Sequence, residues 1–422
     1  MATLTVPLLE CEDAVWFRDA ESLPAAARSA ARAIAHRAGL LPERVAEVGL
    51  AVSEAATNLR RHAVDGSLLL RVVRTDSEAA VEFVALDSGP GMADVPRSLT
   101  DGVSSGGTLG IGLGAIVRLA DTFDVHSLPG RGTAMTARFW NHTPGGRRAA
   151  AGREAVVAGV TRPMSGQELC GDAWAARPVL VAPPAGPDRA PAGAGAGRSR
   201  RQTADGTVLD WSVLTGAARR PAQPPLQDHG TPVSSPGGPT RSTGPVGSTA
   251  DPTTGAFLVM FVDGLGHGPL AAKAALDAVA AFRRSAARTP EAVLSDVHGA
   301  LRAGRGGAVA VALVEPAAQR IGFCGVGNIS TFVVAPSTGT RRSLPSAPGI
   351  VGHQMPALHT VRHRLAPGSA VVMHSDGLTD RWQAQAFAGV LEHLPVTAAA
   401  LLLREAGVRR DDAGVLVAKG PW

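Results

Sequence analysis

At 422 residues the chain is long enough for two domains with sizeable cores, and 45% hydrophobic with 18% charged residues reads as globular rather than wholly disordered. Its net charge of +5 comes almost entirely from dispersed arginines, Lys standing only at 273 and 419, with no Tyr and no basic stripe interleaved with aromatics, so nucleic-acid binding is not expected. No run approaches the ~18–20 apolar residues of a membrane helix, no signal peptide shows in MATLTVPLLECED, and Cys11, Cys170 and Cys324 lie too far apart for a disulfide framework or zinc site; a cytoplasmic protein with no membrane partner is expected.

The first 140 residues read as one unit. An Ala-rich helix is predicted near 24–38 and a second near 42–62, with Val45, Val48, Leu50, Val52 and Ala55 at roughly helical spacing. Two β-like runs follow at 68–73 and 80–86, then a Gly-rich loop, a helix near 112–121 and alternating runs near 123–127 and 133–139. Without strict βαβ alternation, this order suggests an α+β sandwich whose sheet is covered on one face. Residues 141–153 read as a linker. A second folded region starts near 154 and is interrupted at 181–255, where 24 of 75 residues are Gly or Pro. That fraction reaches the ~25–30% at which low complexity and disorder become the default, so a disordered insert is expected there. Order resumes with FLVMFV at 257–262. Helices are predicted near 268–285, 290–303 and 396–405, and strands at 308–314, 320–324, 330–334, 369–374 and 414–418, a β-rich domain with grouped helices.

Three short pieces in the first region suggest a nucleotide site. SEAATN puts Glu54 and Asn58 four residues apart on one helix face, where a carboxylate can deprotonate an attacking hydroxyl and an amide oxygen can hold Mg²⁺ against phosphates. DSGPGM follows an apolar strand: Asp87 can accept a base's exocyclic amine, while Gly89 and Gly91 let the backbone pass close to a ligand. In GGTLGIGLGAIVRLAD, Gly110, Gly112 and Gly114 open a helix whose N-terminal amides can bind phosphate. PGRGT at 129–133 closes the set. Any one piece alone is an ordinary turn; the ordered set is specific. It resembles the GHKL fold with its Bergerat-type ATP site, and within that fold the small serine kinases and anti-sigma factors that phosphorylate STAS-domain antagonists. The resemblance spans about 8–140. It implies Glu54 as the base, Asn58 as a Mg²⁺ ligand, Asp87 as the adenine contact, and the glycines with Thr133 as nucleotide-holding residues. His62 reads as a helix-end residue.

The second region carries four separated acidic positions: Asp172 in GDAW, Asp263 in DGLGHG, Asp376 in HSDGLTD and Asp411 with Asp412 in DDAGVLV. Asp-Gly pairs are common in turns. Carboxylates at the ends of several strands can, however, converge on two hard divalent cations that activate a water toward a phosphate ester. With GVGN between them, these motifs stand in the order found in PPM-type metal-dependent serine/threonine phosphatases, and they resemble the sporulation stage II protein E (SpoIIE-like) branch. The resemblance spans about 156–181 and 256–419. It implies Asp172 and Asp263 bridging two Mn²⁺ or Mg²⁺ ions, the Gly264 carbonyl ligating one, and Asp376 and Asp411 completing the pair. Asp412 is the weaker candidate of its doublet. Two departures stand out: the long insert, and Leu265 where some distant members carry a histidine acid; His267 nearby is left out of the catalytic set.

The combined expectation is a bifunctional partner-switch regulator, an ATP- and Mg²⁺-using kinase-like domain at 1–140 joined to a PPM-type phosphatase domain at 154–420. The partner implied by resemblance is a STAS-type anti-sigma antagonist or similar phosphoprotein, with a sigma factor as a further possibility. The alternative makes the N-terminal domain a nucleotide-dependent binding module without phosphoryl transfer; the intact Glu54–Asn58 pair speaks against it. Anchoring to nucleic acid through the arginines of 181–255 has little support.

Overall fold

Proline opens helices in both halves of the chain: Pro42, Pro269, Pro290 and Pro395 each occupy the first turn, where the missing N–H would be unsatisfied anyway. The computed structural model describes residues 8–18, 22–75, 78–99, 112–142, 155–179, 255–336, 338–380, 382, 389–408 and 410–420. The expected linker, apart from its first two residues, and nearly all of the expected insert lie outside them, as does Gly110.

In the first half, α1 (Leu23–Arg37) and α2 (Pro42–His62) pack on one face of an antiparallel sheet. Its strands are β1 (Glu10–Arg18), β2 (Ser67–Arg74), β3 (Ala79–Asp87), β4 (Thr122–Ser127) and β5 (Thr133–Trp140), in the order β1-β2-β3-β5-β4. A single turn, α3 (Val95–Ser98), and α4 (Gly112–Leu119) complete this half. Alternate strand residues such as Leu68, Leu70, Val81 and Phe83 join Ala27, Val48, Val52 and Ile116 in the helix-side core. The elements fall within a residue or two of their expected places. Strand β1 was not expected; ECEDAVWFR lacks clean alternation, and its pairing with β2 shifts register between Asp13 and Val15.

The second half is a two-sheet sandwich. One sheet has the order β13-β10-β9-β8-β7 and the other β12-β11-β14-β15-β6. The first comprises β7 (Asp172–Pro178), β8 (Phe257–Gly264), β9 (Gly307–Glu315), β10 (Arg320–Val326) and β13 (Val361–Arg364). The second comprises β6 (Val157–Arg162), β11 (Ser330–Val334), β12 (Arg341–Ser343), β14 (Ala370–His374) and β15 (Ala413–Lys419). Phe257, Phe261, Val371, Met373 and Leu416 fill the space between the sheets. Helices α5 (Pro269–Arg284) and α6 (Pro290–Leu301) cover the outer face of the first sheet.

Helix α7 (Pro395–Ala406) covers the second sheet, and here one expectation needs correcting. The N-terminal sheet is covered on both faces, because α7 fills the face its own helices leave open. Leu69, Val84, Leu86 and Ala134 of that sheet share one core with Leu402 and Leu403 of α7 and with Val160, Val372 and Val415. Several polar groups on this face are paired across it. Glu82 is held between Arg71 (Nε to Oε1, 2.7 Å) and Arg138 (Nε to Oε2, 2.8 Å), and Arg71 Nη1 donates to Gly159 O of β6 at 2.6 Å. The two guanidiniums hold the Glu82 carboxyl below its ordinary range against the opposing effect of burial. Trp16 Nε1 donates to Thr161 O at 2.8 Å, and Thr136 and Thr397 share a hydrogen bond of 3.0 Å. The two halves meet across a built interface.

Candidate functional site

Strand β3 delivers Asp87 at its C-terminal end, and the chain turns there against the end of α2. Ser88 N donates to Val64 O at 2.8 Å, and a Cβ at Gly89 would run into His62 O, so this loop can lie only where a glycine stands. Gly89 N donates to Asp87 Oδ1 at 2.7 Å. Thr133 stands opposite Asp87 in the β3–β5 ladder. Gly91, at φ +65, packs on the Leu128 carbonyl, while Gly130 N donates to Pro90 O at 2.8 Å. Burial raises the Asp87 carboxyl above its ordinary range, opposed by the Gly89 amide, the Arg404 guanidinium and Thr133.

The structure thus brings Asp87, Gly89, Gly91 and Thr133 together. Glu54 and Asn58 are half-buried on α2, about two turns and one turn before His62, its last residue. Gly112 and Gly114 lie in the first turn of α4, which packs through Ile116 into the α2 core. A Cβ at Gly112 would meet nothing within 4 Å among the described residues. Sequence reasoning missed Ser127. Its hydroxyl accepts from Met92 N at 2.8 Å and lies 2.9 Å from Thr133 Oγ1, tying the loop after Asp87 to the one before β5.

In the second half, β7 and β8 pair so that Asp172 and Asp263 stand opposite each other. Gly264 N donates to Gly171 O at 2.9 Å beside them. Asp376 lies two residues past the end of β14, and Asp411 and Asp412 immediately precede β15, the strand paired with it. Asp172 is buried; Ser375 Oγ donates to its Oδ2 at 2.5 Å, whereas its Oδ1 is buried without a hydrogen-bond partner. Burial pushes the Asp172 carboxyl well above its ordinary range, reinforced by the Asp263 charge. Burial, with Asp376, Asp411 and Asp412, pushes Asp263 up to about 7.

An orphaned carboxylate oxygen and mutually repelling buried acids are what a cation would relieve, and the all-oxygen donor set suits a hard divalent ion. The arrangement is not a ready-made chelate: no group of three Asp, Glu, His or Cys side chains among the described residues stands close enough to hold an ion. Asp376 instead accepts from Asn328 Nδ2 at 2.6 Å, and Asp411 Oδ1 accepts from the Asp412 amide at 2.9 Å. Asp412 is engaged elsewhere, accepting from Met164 N and Gly171 N at 2.7 Å each, so its carboxylate fixes the loop ahead of Asp172. Asn328 lies in the GVGN motif, a signal that gave its place but not its contact. Ser375 gave no signal beyond its position before Asp376.

Comparison with known proteins matches a domain in each half of the chain. The histidine kinase-like ATPase domain model matches residues 18–139, and the stage II sporulation protein E (SpoIIE) model matches 253–419. The second match begins after Asp172, which joins the site through the β7–β8 pairing. Serine/threonine-protein kinase RsbT of Bacillus subtilis (strain 168) is 34% identical over 115 residues, 27% of this chain and 86% of that kinase. Among solved structures, one described as the bacterial stressosome, a modular system adapted to control secondary messenger signalling, covers 62% of this chain and 97% of its own at 22% identity and a TM-score of 0.40. The phosphatase domain of SpoIIE from Bacillus subtilis, with a fragment of its regulatory domain, covers 82% of this chain and 80% of its own at 11% identity and a TM-score of 0.37. A GHKL-like fold and a PPM-type fold therefore share this chain. The chain belongs to the GHKL-type anti-sigma-factor serine kinase family through its N-terminal domain, to which a SpoIIE-like PPM phosphatase domain is joined. That is the architecture of a partner-switch regulator.

Proposed function

We propose that the C-terminal half hydrolyses serine or threonine phosphate esters on a regulatory protein and that the N-terminal half binds ATP with Mg²⁺ and transfers phosphate to the same class of partner. The observation that carries the first half is the Asp172–Asp263 pair, side by side on neighbouring strands with one buried oxygen unpartnered. Asp172, Asp263, the Gly264 carbonyl, Asp376 and Asp411 would hold two Mn²⁺ or Mg²⁺ ions. When bound, the ions supply an activated water and polarise the phosphate ester. The chain's own part is positional: Ser375 fixes Asp172, Asn328 holds Asp376 and Asp412 anchors the loop before Asp172. In the N-terminal half Glu54 would accept the proton of an attacking hydroxyl, Asn58 would hold Mg²⁺, Asp87 would read the adenine amine, and Gly89, Gly91, Gly110, Gly112, Gly114 and Thr133 would line the nucleotide.

The family resemblance supports a STAS-type anti-sigma antagonist as the phosphoprotein, with a sigma factor as a further partner. The test needs neither. Mn²⁺-dependent hydrolysis of p-nitrophenyl phosphate is expected from the purified chain and should fall to background in Asp263→Asn; an unchanged rate would overturn the metal assignment. Labelled-ATP transfer to an antagonist, lost in Glu54→Ala, would separate kinase activity from nucleotide-dependent binding alone.

A further inference from the structure

The last turn of α7 touches both sites. On the nucleotide side, Arg404 Nη1 donates to the main-chain oxygen of Asp87 at 3.1 Å, from a side chain only 8% exposed. Arg404 is braced by Glu405 (Nη2 to Oε1, 2.6 Å), and Glu405 also accepts from Arg131 of the loop before Thr133 at 3.0 Å. On the metal side, Thr379 N donates to Ala406 O at 2.9 Å and Val408 N donates to Gly377 O at 2.7 Å. Leu378 and Gly407 form an antiparallel bridge between these bonds. Gly377 directly follows Asp376. The contact on the Asp87 carbonyl and the contact on the Asp376 loop are therefore two residues apart on one helix.

All of this helix except Arg404 and Glu405 is buried. The Thr136–Thr397 hydrogen bond grips its first turn from the kinase-like sheet, and Asp124 accepts from Leu394 N at 2.7 Å and contacts His393 Nδ1 at 2.8 Å. A close-packed element held on both sides transmits a displacement rather than absorbing it.

We propose that the C-terminal turn of α7 couples the two sites, with Arg404 a positioning residue of the nucleotide pocket supplied by the phosphatase half. Nucleotide contact at Asp87 shifts Arg404, and the same turn moves the Gly377–Thr379 segment that sets Asp376. The coupling rests on the nucleotide and metal assignments above and goes beyond them. It is reciprocal by thermodynamic necessity: a cation held at Asp376 must alter nucleotide affinity by the factor with which nucleotide alters cation affinity.

The experiment uses the full chain, with a fluorescent ATP analogue in excess Mg²⁺ as probe and hydrogen exchange at the Thr379 and Val408 amides as readout. In the wild-type chain, saturating nucleotide is expected to slow both amides by roughly 5-fold or more. Arg404→Ala should bind the analogue roughly 3- to 10-fold more weakly and, once saturated, leave both amides unchanged. Arg404→Lys, which keeps one donor, should recover part of the affinity and part of the protection; a purely structural role for Arg404 would not produce that graded rescue. If Arg404→Ala does not fold, Arg404→Lys and Arg131→Ala carry the comparison. Nucleotide binding with unchanged exchange at both amides would overturn the coupling and leave the nucleotide assignment standing. No binding by the wild-type chain would overturn the nucleotide assignment and the coupling with it.

Discussion

Burial, reinforced by the charges of Asp376, Asp411 and Asp412, pushes the Asp263 carboxyl up to about 7. Because this value lies above the ordinary 3.8, the folded metal-free protein keeps a proton that the unfolded chain releases as pH rises from ~4 to ~7. Stability that Asp263 contributes at low pH is therefore lost across that window, and Asp172 acts in the same direction. Thermal melts in chelator should give a lower Tm at ~pH 8 than at ~pH 5.5, with Mn²⁺ narrowing the gap and Asp263→Asn removing much of it. Gly377 allows a second test. A Cβ there would collide with the Asp412 carbonyl and the Ala413 backbone, neither of which is a flexible side chain. Gly377→Ala should cost ~1–3 kcal/mol in chemical denaturation and abolish p-nitrophenyl phosphate hydrolysis. The metal-candidate acids were legible because each stands at the end of an apolar strand or just before one. Ser375, Arg404 and the second role of Asp412 were not, because their partners lie 203, 317 and 241 residues away.

Among the elements, α7 shows what a sequence can say without saying where. PVTAAALLLREA has ten of its twelve residues buried, and a helix apolar on every side must be covered on every side. The sequence reading placed this helix correctly and left its second neighbour unnamed, since nothing local marks the strand face it meets. Arg71, Glu82 and Arg138 were the missing signal. Three charges in strands otherwise full of Leu, Val and Ala suggest a solvated face, yet the structure pairs them with one another in the buried interface. Leu402→Ala removes side-chain volume from the core shared by both sheets and should cost ~2–5 kcal/mol. Denaturation followed by tryptophan fluorescence and by release of a fluorescent nucleotide should then shift together, as one transition; separate midpoints would mean that the halves unfold independently. Strands β12 and β13 stayed illegible because RRS and VRHR are polar edge segments whose conformation is set by pairing with β11 and β10.

At the scale of the whole molecule, the long insert enters and leaves at one point. Pro178 pairs with Phe257 and Val179 N donates to Ala256 O at 2.9 Å, so β7 and β8 form a hairpin whose far end carries the two aspartates. Replacing 182–252 by a short Gly-Ser turn should leave Mn²⁺-dependent hydrolysis intact and raise stability by roughly 2 kcal/mol, from reduced loop-closure entropy. Loss of hydrolysis in a folded deletion variant would assign the insert a role in catalysis. The shared helix bears on division of the chain in another way. The two family matches end at residue 139 and begin again at 253, but the surfaces the two halves present to each other do not part between them. A product ending at 142 would carry Leu69, Val84, Leu86 and Ala134 into water, together with a glutamate and two arginines arranged for a dry interface. A lineage that exchanges one half for a homologous one must therefore also inherit, or evolve anew, a helix that fits this face.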